Sequence, residues 1–381
     1  MERKKAVVRI KELLQALARY IFRVVIPILI LPLLLFFVAS PWLGANEYPL
    51  PSGLNIQPAA WLRWDSFHYL SIARQGYSAQ TCGQFVCGNT GWFPLFPWMI
   101  KTLATLGLSI SSAALFVTLL SLLVSSEILS RLIQRRWSPV SVAAAFLLLP
   151  GGIYHVAAFP VSLTTALDLS AIWLFMHSYL GASAVSAFLA ALAYPSSVIL
   201  SIALSPFLLE KSVSQRVQTT FFRILPIAAP VFGYFASRAW IDHASGIVSA
   251  YSLTQARYGH SWSLAFSVLR SSVRYFWKNP VYLQTATVFV LMIVATALVL
   301  RHLSYANALL SLSFLLMGWS CWILPHFIGD SISIYRQEAL LAPFFVFAGS
   351  YLPRKLVVFV SVPLIAVFIV MTRLFFVGEL V

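Results

Sequence analysis

The chain has 381 residues, of which 60% are hydrophobic and only 10% are charged, and its mean hydropathy is +0.85. This composition excludes an ordinary soluble globular protein and is typical of a polytopic membrane protein. The net charge of +15 could indicate a nucleic-acid partner. Most of the Lys and Arg residues, however, lie in the segments that the positive-inside rule would keep in the cytoplasm. We therefore expect no nucleic acid.

Apolar segments of the ~20 residues needed to cross a bilayer recur along the chain. We predict a single integral membrane domain over residues 1–381, all-α, with about 10–11 transmembrane helices and a cytoplasmic N-terminus. The predicted spans are 20–41, 113–131, 140–156, 161–179, 183–209, 221–240, 281–300, 306–324, 334–349 and 356–377. Pro195 falls near the middle of the fifth of these spans, which predicts two half-helices there.

The segments between the spans have distinct predicted roles. Residues 1–19 are basic and amphipathic and predict a helix on the cytoplasmic membrane surface. Residues 43–91 form the first outer loop, in which a helix is predicted from Pro58 to Arg74, with Gly76 at its end. The second outer loop is 241–280. Segment 91–107 is either a short surface helix or a further span, and the charge rule favours the surface helix.

Cys82 and Cys87 lie five residues apart in the first outer loop. An oxidising exterior would allow a local disulfide. The spacing also allows a metal site, but no His residues cluster near the two cysteines, so the disulfide is the prediction. Elsewhere Asp and His show no spacing typical of metal ligands. No cofactor is expected, and a divalent metal stays open.

Asp65 is one of only four aspartates, and it follows the first predicted span. An ionised carboxylate beside a bilayer is costly and usually functional. His68 comes three residues later, so the two side chains share one face of the predicted helix. The alternatives are that Asp65 pairs with Arg63 or caps the helix, and that His68 makes a structural hydrogen bond.

Several Arg and Lys residues lie in outer loops, where the positive-inside rule does not require them. They are candidates for binding an anionic group. Arg336 lies at the mouth of a predicted span, where a lipid phosphate would lie; a loop ion pair with Asp330 is the structural alternative. The predicted catalytic residues are Asp65 and His68, and the predicted substrate-binding residues are Trp64, Tyr69, Gln255, Arg257, His260, Asp330 and Arg336.

One stretch carries a specific pattern: Trp64-Asp65, His68-Tyr69, Ile72-Ala73 and Gly76-Tyr77, followed by Phe93-Pro94-Leu95-Phe96-Pro97. Weaker elements follow at Gln255–His260, Tyr335-Arg336 and Phe376–Gly378. Together they resemble the signature of the PIG-V family of mannosyltransferases, similar to GPI mannosyltransferase II, in the GT-C superfamily.

The resemblance implies a GT-C-type fold and a glycosyltransferase activity. A sugar, in this family mannose, would pass from a polyprenyl-phosphate donor to a lipid or glycan acceptor on the outer face of the membrane, with Asp65 as general base. The chain departs from the family at His155–Ser162, which lacks the usual Glu, and at Ala193–Ser196, which lacks the usual Arg. The acceptor is therefore left open.

Physical chemistry points the same way. Such a transfer needs a base for the acceptor hydroxyl, a cation for the departing phosphate and apolar walls for the lipid. The expected partners are the polyprenyl-phosphate sugar donor, a glycolipid or glycan acceptor, and membrane lipids. The chain has no Asn-x-Ser/Thr sequon, which favours a bacterial plasma membrane over the endoplasmic reticulum.

Two other classes of protein fit part of the pattern. A polyprenyl-linked lipid transporter or flippase would share the spans, the split helix and the buried charges. The lack of internal repeats and the aspartate on an outer-loop helix favour the enzyme. A non-catalytic subunit would leave Asp65 and the outer-loop arginines without a role.

Overall fold

The computed structural model describes residues 2–39, 61–209, 217–259, 266–304, 306–327 and 334–377, and these residues are almost entirely helical. In chain order the helices are α1 (Glu2–Tyr20), α2 (Ile26–Ala39), α3 (Asp65–Gln75), α4 (Leu95–Thr105), α5 (Ile110–Leu132), α6 (Pro139–Leu148), α7 (Val161–Met176), α8 (Leu180–Ala193), α9 (Leu200–Leu204), α10 (Val217–Ser245), α11 (Ala250–Arg257), α12 (Ser267–Tyr275), α13 (Leu283–Arg301), α14 (Ala308–Phe327), α15 (Ile334–Ala339), α16 (Ala342–Gly349) and α17 (Arg354–Val377). A two-stranded antiparallel hairpin, β1 (Ala79–Cys82) and β2 (Phe85–Gly88), follows α3.

Within the described residues, six helices are long and apolar enough to cross a bilayer. Four shorter apolar helical segments accompany them. The chain is therefore an all-α polytopic membrane protein, as the composition predicts. The six long segments are Glu12–Leu35, Ile110–Leu132, Phe222–Ser245, Pro280–Arg301, Ala308–Phe327 and Arg354–Phe376, and the four shorter ones are Pro139–Leu148, Val161–Met176, Leu180–Ala193 and Pro195–Leu209.

Small residues allow the closest helix packing in the bundle, between α8 and α10. A Cβ placed on Gly233 of α10 would lie only 3.0 Å from the Cβ of Ala191 on α8. Apolar helices in a membrane lack a hydrophobic driving force for association, so close backbone approach through small residues is a principal source of contact. α7 packs against α8 on one side and against α5 on another.

Two predicted spans are interrupted, each at a segment that contains a proline. The predicted span 140–156 ends at Leu148, because Pro150 and Gly151 (φ +78°) turn the chain into a short 3-10 helix at Gly152–His155. The predicted span 334–349 is two short helices, α15 and α16. Pro343 lacks the N–H that a continuous helix would need there, and it lies instead in the first turn of α16.

The predicted break in the fifth span is confirmed. α8 ends at Ala193, Tyr194 is extended (φ −152°, ψ 136°), and Pro195 opens a 3-10 turn that ends at Ile199. Segment 91–107 contains α4, whose 11 residues reach only ~16 Å at 1.5 Å per residue. That length is too short for a hydrocarbon core of ~30 Å, so the surface helix is the better description.

The disulfide between Cys82 and Cys87 is confirmed, and it closes the β1–β2 hairpin. Asn89 joins the hairpin to the end of α3. Its side-chain oxygen accepts from Ser78 N at 2.8 Å, and its amide nitrogen donates to Gly76 O at 3.1 Å and Ser71 Oγ at 2.9 Å. The hairpin therefore supports the helix that carries Asp65.

The elements of the two predicted outer loops contact one another and the helices beside them. α3 contacts α4 and α5, and α11 contacts β2. The 3-10 helix at Gly152–His155 contacts both α15 and α17. The candidate functional residues lie where these segments meet.

Candidate functional site around Asp65 and Arg336

α3 begins later than the sequence predicts, and an unusual backbone conformation marks its start. The predicted helix start, Pro58, lies outside the described residues. The observed helix begins at Asp65, because Trp64 has φ +42° and ψ −110°, which is not helical. Such a conformation costs about 1–3 kcal/mol and persists only where surrounding contacts hold it. Asp65 is therefore presented from a turn that the rest of the fold must stabilise.

The C-terminal end of α17 supplies that support. Arg63 Nη2 donates to the carbonyl of Phe376 at 2.8 Å, one of the last carbonyls of a helix, which lack intrahelical partners. The Trp64 ring meets the edge of Phe375 at 5.2 Å, and the Trp61 ring meets Phe376 at 5.4 Å. Phe375 and Phe376 of α17 thus hold residues 61–64 in place.

Asp65 forms an ion pair with Arg336 of α15. The side chains of Asp65 and Arg336 are 21% and 11% exposed, so the pair is screened from solvent but reachable. Arg336 also lies over the ring of Phe159 at 5.7 Å from its centroid, in the range of a cation–π contact. The pair joins a carboxylate from the first outer loop to a cation from the other half of the chain.

α15 is held by several buried polar contacts, which fix the position of Arg336. Gln284 Nε2 donates to Tyr335 O at 3.0 Å and to the carboxylate of Glu338 at 2.9 Å. His155 Nε2 lies 3.1 Å from Ala339 O. A buried polar group held on several sides costs more to move than one on a surface loop. Arg336 is therefore positioned before any ligand arrives.

His68 lies flat against an aromatic ring rather than against Asp65. Its imidazole stacks on Trp92 with 3.6 Å between the centroids, and Tyr258 meets the other side of Trp92 edge-on at 6.1 Å. Tyr77 Oη donates to Trp92 O at 2.7 Å and fixes the backbone of that residue. These rings form an aromatic wall one helical turn from Asp65. We call His68, Trp92 and Tyr258 the aromatic wall below.

α11 docks residues of the second outer loop against the first. The Gln255 side chain donates to Gly91 O at 3.0 Å, and the hydroxyls of Thr90 and Thr254 lie 2.6 Å apart. Arg257 is exposed, with its guanidinium 5.9 Å from the Tyr258 ring. Arg257 is thus free of dense packing and close to the aromatic wall.

The remaining predicted site residues are less central or lie outside the described part of the chain. Trp64 packs on Phe375, as described. Tyr69 is 2% exposed and meets Phe96 edge-on at 5.4 Å, a position that favours packing over ligand contact. His260 and Asp330 lie outside the described residues. The expected ion pair of Arg336 with Asp330 is therefore not described, and Asp65 is the acidic partner that the structure gives.

Sequence reasoning missed Trp92, Tyr258 and Phe159 as parts of this site. Trp92 lies directly before the Phe93–Pro97 element and Tyr258 lies within the Gln255–His260 element, so the family resemblance contained a signal for both. Phe159 had no such signal, because its place under Arg336 depends on the turn after α6. No family model matches this chain, and no curated protein matches it either.

The surroundings of His68 predict its titration. Burial, and to a smaller extent the charge of Arg257, lower the pKa of His68. The stability linked to this group is therefore complete above pH ~6.5, the ordinary value for His, and is lost as the pH falls through the lowered pKa. In an NMR titration of the purified protein, with the His68 signal assigned by its loss in His68→Phe, the midpoint should lie below ~6.5.

The variant Arg257→Gln should raise that midpoint without bringing it to the ordinary value, because burial is the larger cause. A matched change at an exposed arginine at the opposite end of α17 from Phe375, Arg354→Gln, should leave it unchanged. A midpoint at or above ~6.5 in the unmodified protein would contradict the described position of His68.

Proposed function

We propose that this protein is a glycosyltransferase of the GT-C type. It transfers a sugar, mannose by family resemblance, from a polyprenyl-phosphate donor to a glycolipid or glycan acceptor at the outer face of the membrane. Asp65 is the general base and Arg336 binds the donor phosphate. The observation that supports this proposal most is the ion pair between Asp65 and Arg336.

The pair brings together the two charges that this chemistry requires. The bond from the sugar anomeric carbon to the phosphate oxygen breaks, and a bond to the acceptor oxygen forms. The acceptor proton goes to the carboxylate of Asp65. The negative charge that develops on the departing polyprenyl phosphate is stabilised by the guanidinium of Arg336, which can bind a phosphate through two parallel hydrogen bonds.

The resting ion pair gives a simple order of events. Without donor, Arg336 and Asp65 neutralise each other in a partly buried place. A donor phosphate competes with Asp65 for the guanidinium, and the released carboxylate is then available to the acceptor hydroxyl. Binding of the donor would thus prepare the base as well as hold the leaving group.

The convergence of separate sequence elements adds support. Asp65, Gln255, Arg336 and Phe376 belong to four of the five elements that resemble the PIG-V family, and they are far apart in sequence. In the fold Phe376 holds the Asp65 turn, Arg336 pairs with Asp65, and Gln255 is bonded to the segment carrying Trp92. Residues that share one site are expected to converge in this way, although a structural reason for each contact also exists.

Charge also favours an anionic ligand. Arg63, Arg257 and Arg336 lie in segments that carry two described carboxylates, Asp65 and Glu338. Arg63 and Arg336 are engaged in protein contacts, whereas the side chain of Arg257 is exposed. Because guanidinium groups exceed carboxylates there, a phosphate-bearing ligand is better matched than a cationic one.

The sidedness of this site is a testable part of the proposal. Ser66 is fully buried and is a poor labelling position, whereas Gln75 at the end of α3 is exposed. A Gln75→Cys variant should react with a membrane-impermeant maleimide in intact cells. The control Lys355→Cys, exposed at the start of α17 on the predicted cytoplasmic side, should react only after permeabilisation. The reverse pattern would put Asp65 in the cytoplasm and remove the proposed donor.

The acceptor is best sought directly in cells. Mass spectrometry of envelope glycolipids and glycans, with and without this protein, should show the loss of one hexose from a defined species. Restoration of that hexose by the unmodified chain but not by Asp65→Asn would assign the step to this site. An unchanged set of hexose-bearing species would count against the enzyme and leave a lipid transporter as the better reading.

A further inference from the structure

A second buried polar site lies at the break between α8 and the 3-10 turn that begins at Pro195. It is an enclosed cavity of about 10 Å³, the size of one water molecule. Asp168 of α7 lines it together with hydroxyl groups and the thiol of Cys321. The hydroxyl-bearing lining residues are Thr165, Ser196 and Ser197.

Several of the oxygens around this cavity lack protein partners. Within the described residues, Asp168 Oδ1 and the hydroxyl oxygens of Thr165 and Ser196 are buried and have no hydrogen-bond partner. Buried polar atoms are normally paired, so several such oxygens around one small cavity indicate a missing ligand. Thr165 and Ser196 are each only 2% exposed, so bulk water does not reach them.

The charge of the lining distinguishes a cation from a water molecule. None of the described residues that line the cavity is Lys, Arg or His. A water molecule would satisfy hydroxyl groups but would leave an ionised carboxylate without compensation in an apolar helix, which is costly. Oxygen ligands around one carboxylate suit a hard cation of single charge.

The cavity lies next to the broken helix, because Ser196 and Ser197 follow directly on the break. α8 ends at Ala193, and Tyr194 is extended, so the carbonyls of the last helical turn point toward the break. The C-terminal end of a helix carries partial negative charge and favours cations. Unwound backbone beside a half-helix end is a recurring setting for alkali cations within membrane proteins.

We propose that this cavity binds an alkali-metal cation, coordinated by Asp168, Thr165, Ser196 and Ser197. The bound ion fixes the break between α8 and Pro195. It also supports α15, because Cys321 Sγ lies 3.8 Å from Gln337 O, and Gln337 Nε2 lies 3.3 Å from Tyr194 Oη. Gln337 is next to Arg336 in the chain. The site does not depend on the proposed transferase activity, and its test does not use activity.

Thermal unfolding of the purified protein in detergent micelles tests the proposal. Melting is measured at pH 7.5 and constant ionic strength in NaCl, KCl or choline chloride. At ~100 times the dissociation constant, the bound ion should raise the midpoint by roughly 3–6 °C over choline. The salt with the larger shift at equal concentration identifies the ion.

Variants connect the shift to the cavity. Asp168→Asn keeps the size of the side chain and should abolish the difference between the salts. Ser196→Ala should raise the cation concentration that gives half of the shift. The control Ser311→Ala removes another fully buried hydroxyl, on α14, which does not line the cavity, and should keep the wild-type shift.

Two results would overturn the proposal. One is an equal midpoint in all three salts for the unmodified protein, which is the behaviour expected of a protonated Asp168 with a trapped water molecule. The other is an undiminished salt difference in both Asp168→Asn and Ser196→Ala. The measurement on the unmodified chain decides the first of these even if Asp168→Asn does not fold.

Discussion

Replacing Asp65 with Asn is expected to lower the rate of sugar transfer by about 10²–10⁴-fold, the usual contribution of a general base. Asparagine has nearly the size of aspartate, and its side-chain oxygen can still accept a hydrogen bond from Arg336. It cannot take the acceptor proton. Initial rates with saturating donor and acceptor, measured on purified protein beside its thermal midpoint, separate a lost base from a lost fold.

A second aspartate provides the matched control. Asp242 accepts from the N–H groups of Ser249 and Ala250, each at 2.9 Å, and so caps the start of α11. Asp242→Asn leaves one of these two N–H groups without its oxygen acceptor and should cost about 1 kcal/mol of stability, while transfer stays close to the wild-type rate. Equal transfer by Asp65→Asn and Asp242→Asn would remove Asp65 from the chemistry.

Replacing Arg336 with Gln is expected to raise the KM for the donor by about 10–10²-fold, the size of one hydrogen bond to a charged group. It should also lower kcat, because the charge that develops on the departing phosphate loses its cation. The KM for the acceptor should change far less, because the guanidinium is assigned to the donor phosphate alone. Gln keeps part of the length and some hydrogen bonding of Arg without its charge. Steady-state kinetics with each substrate varied in turn measure the two effects separately.

The stability of the double variant distinguishes a working pair from a structural one. Arg336→Gln leaves the carboxylate of Asp65 partly buried without its partner, which should lower stability by roughly 1–3 kcal/mol. Adding Asp65→Asn should recover much of that loss, because both charges are then absent. Transfer by the double variant should stay at least as low as in Asp65→Asn, and recovery of transfer together with stability would show that the pair is only structural.

Arg257→Gln is the comparison at the rival position. Arg257 is exposed beside Tyr258, so its loss should change the donor KM less than the loss of Arg336. An unchanged donor KM in Arg336→Gln, together with a raised one in Arg257→Gln, would move the phosphate site to the second outer loop. The role of Asp65 would then have to be tested again beside that loop.

The fold could be predicted from sequence wherever hydropathy and length decide it. The long spans follow from apolar runs of bilayer length, and the break at Tyr194 follows from Pro195. The prediction of one continuous helix at 140–156 and at 334–349 was wrong, because a hydropathy pattern does not show a turn within an apolar segment. Gly151 adopts φ +78°, where a Cβ would lie 2.9 Å from Tyr335 O. The turn is thus required by a contact with α15, which a local pattern does not contain.

The sequence identified Asp65 and Arg336 as individual candidates, but it did not predict that they form an ion pair with each other. Asp65 and Arg336 each stand out as a charge in an apolar chain, yet the nearby alternatives in sequence were Arg63 and Asp330. Which acid meets which base depends on how the last third of the chain packs on the first outer loop. The start of α3 was predicted too early for a similar reason, since the conformation of Trp64 depends on α17.

The most direct test of the proposed transfer, with Asp65 as its base, uses the purified protein in liposomes with radiolabelled polyprenyl-phosphate mannose and an extract of envelope glycolipids and glycans. We expect label to pass to a defined acceptor with the unmodified protein and with Asp242→Asn, and transfer to fall by about 10²-fold or more with Asp65→Asn. Transfer by Asp65→Asn at the wild-type rate, or no transfer by any variant while the same liposomes carry labelled donor across the bilayer, would contradict the proposed function.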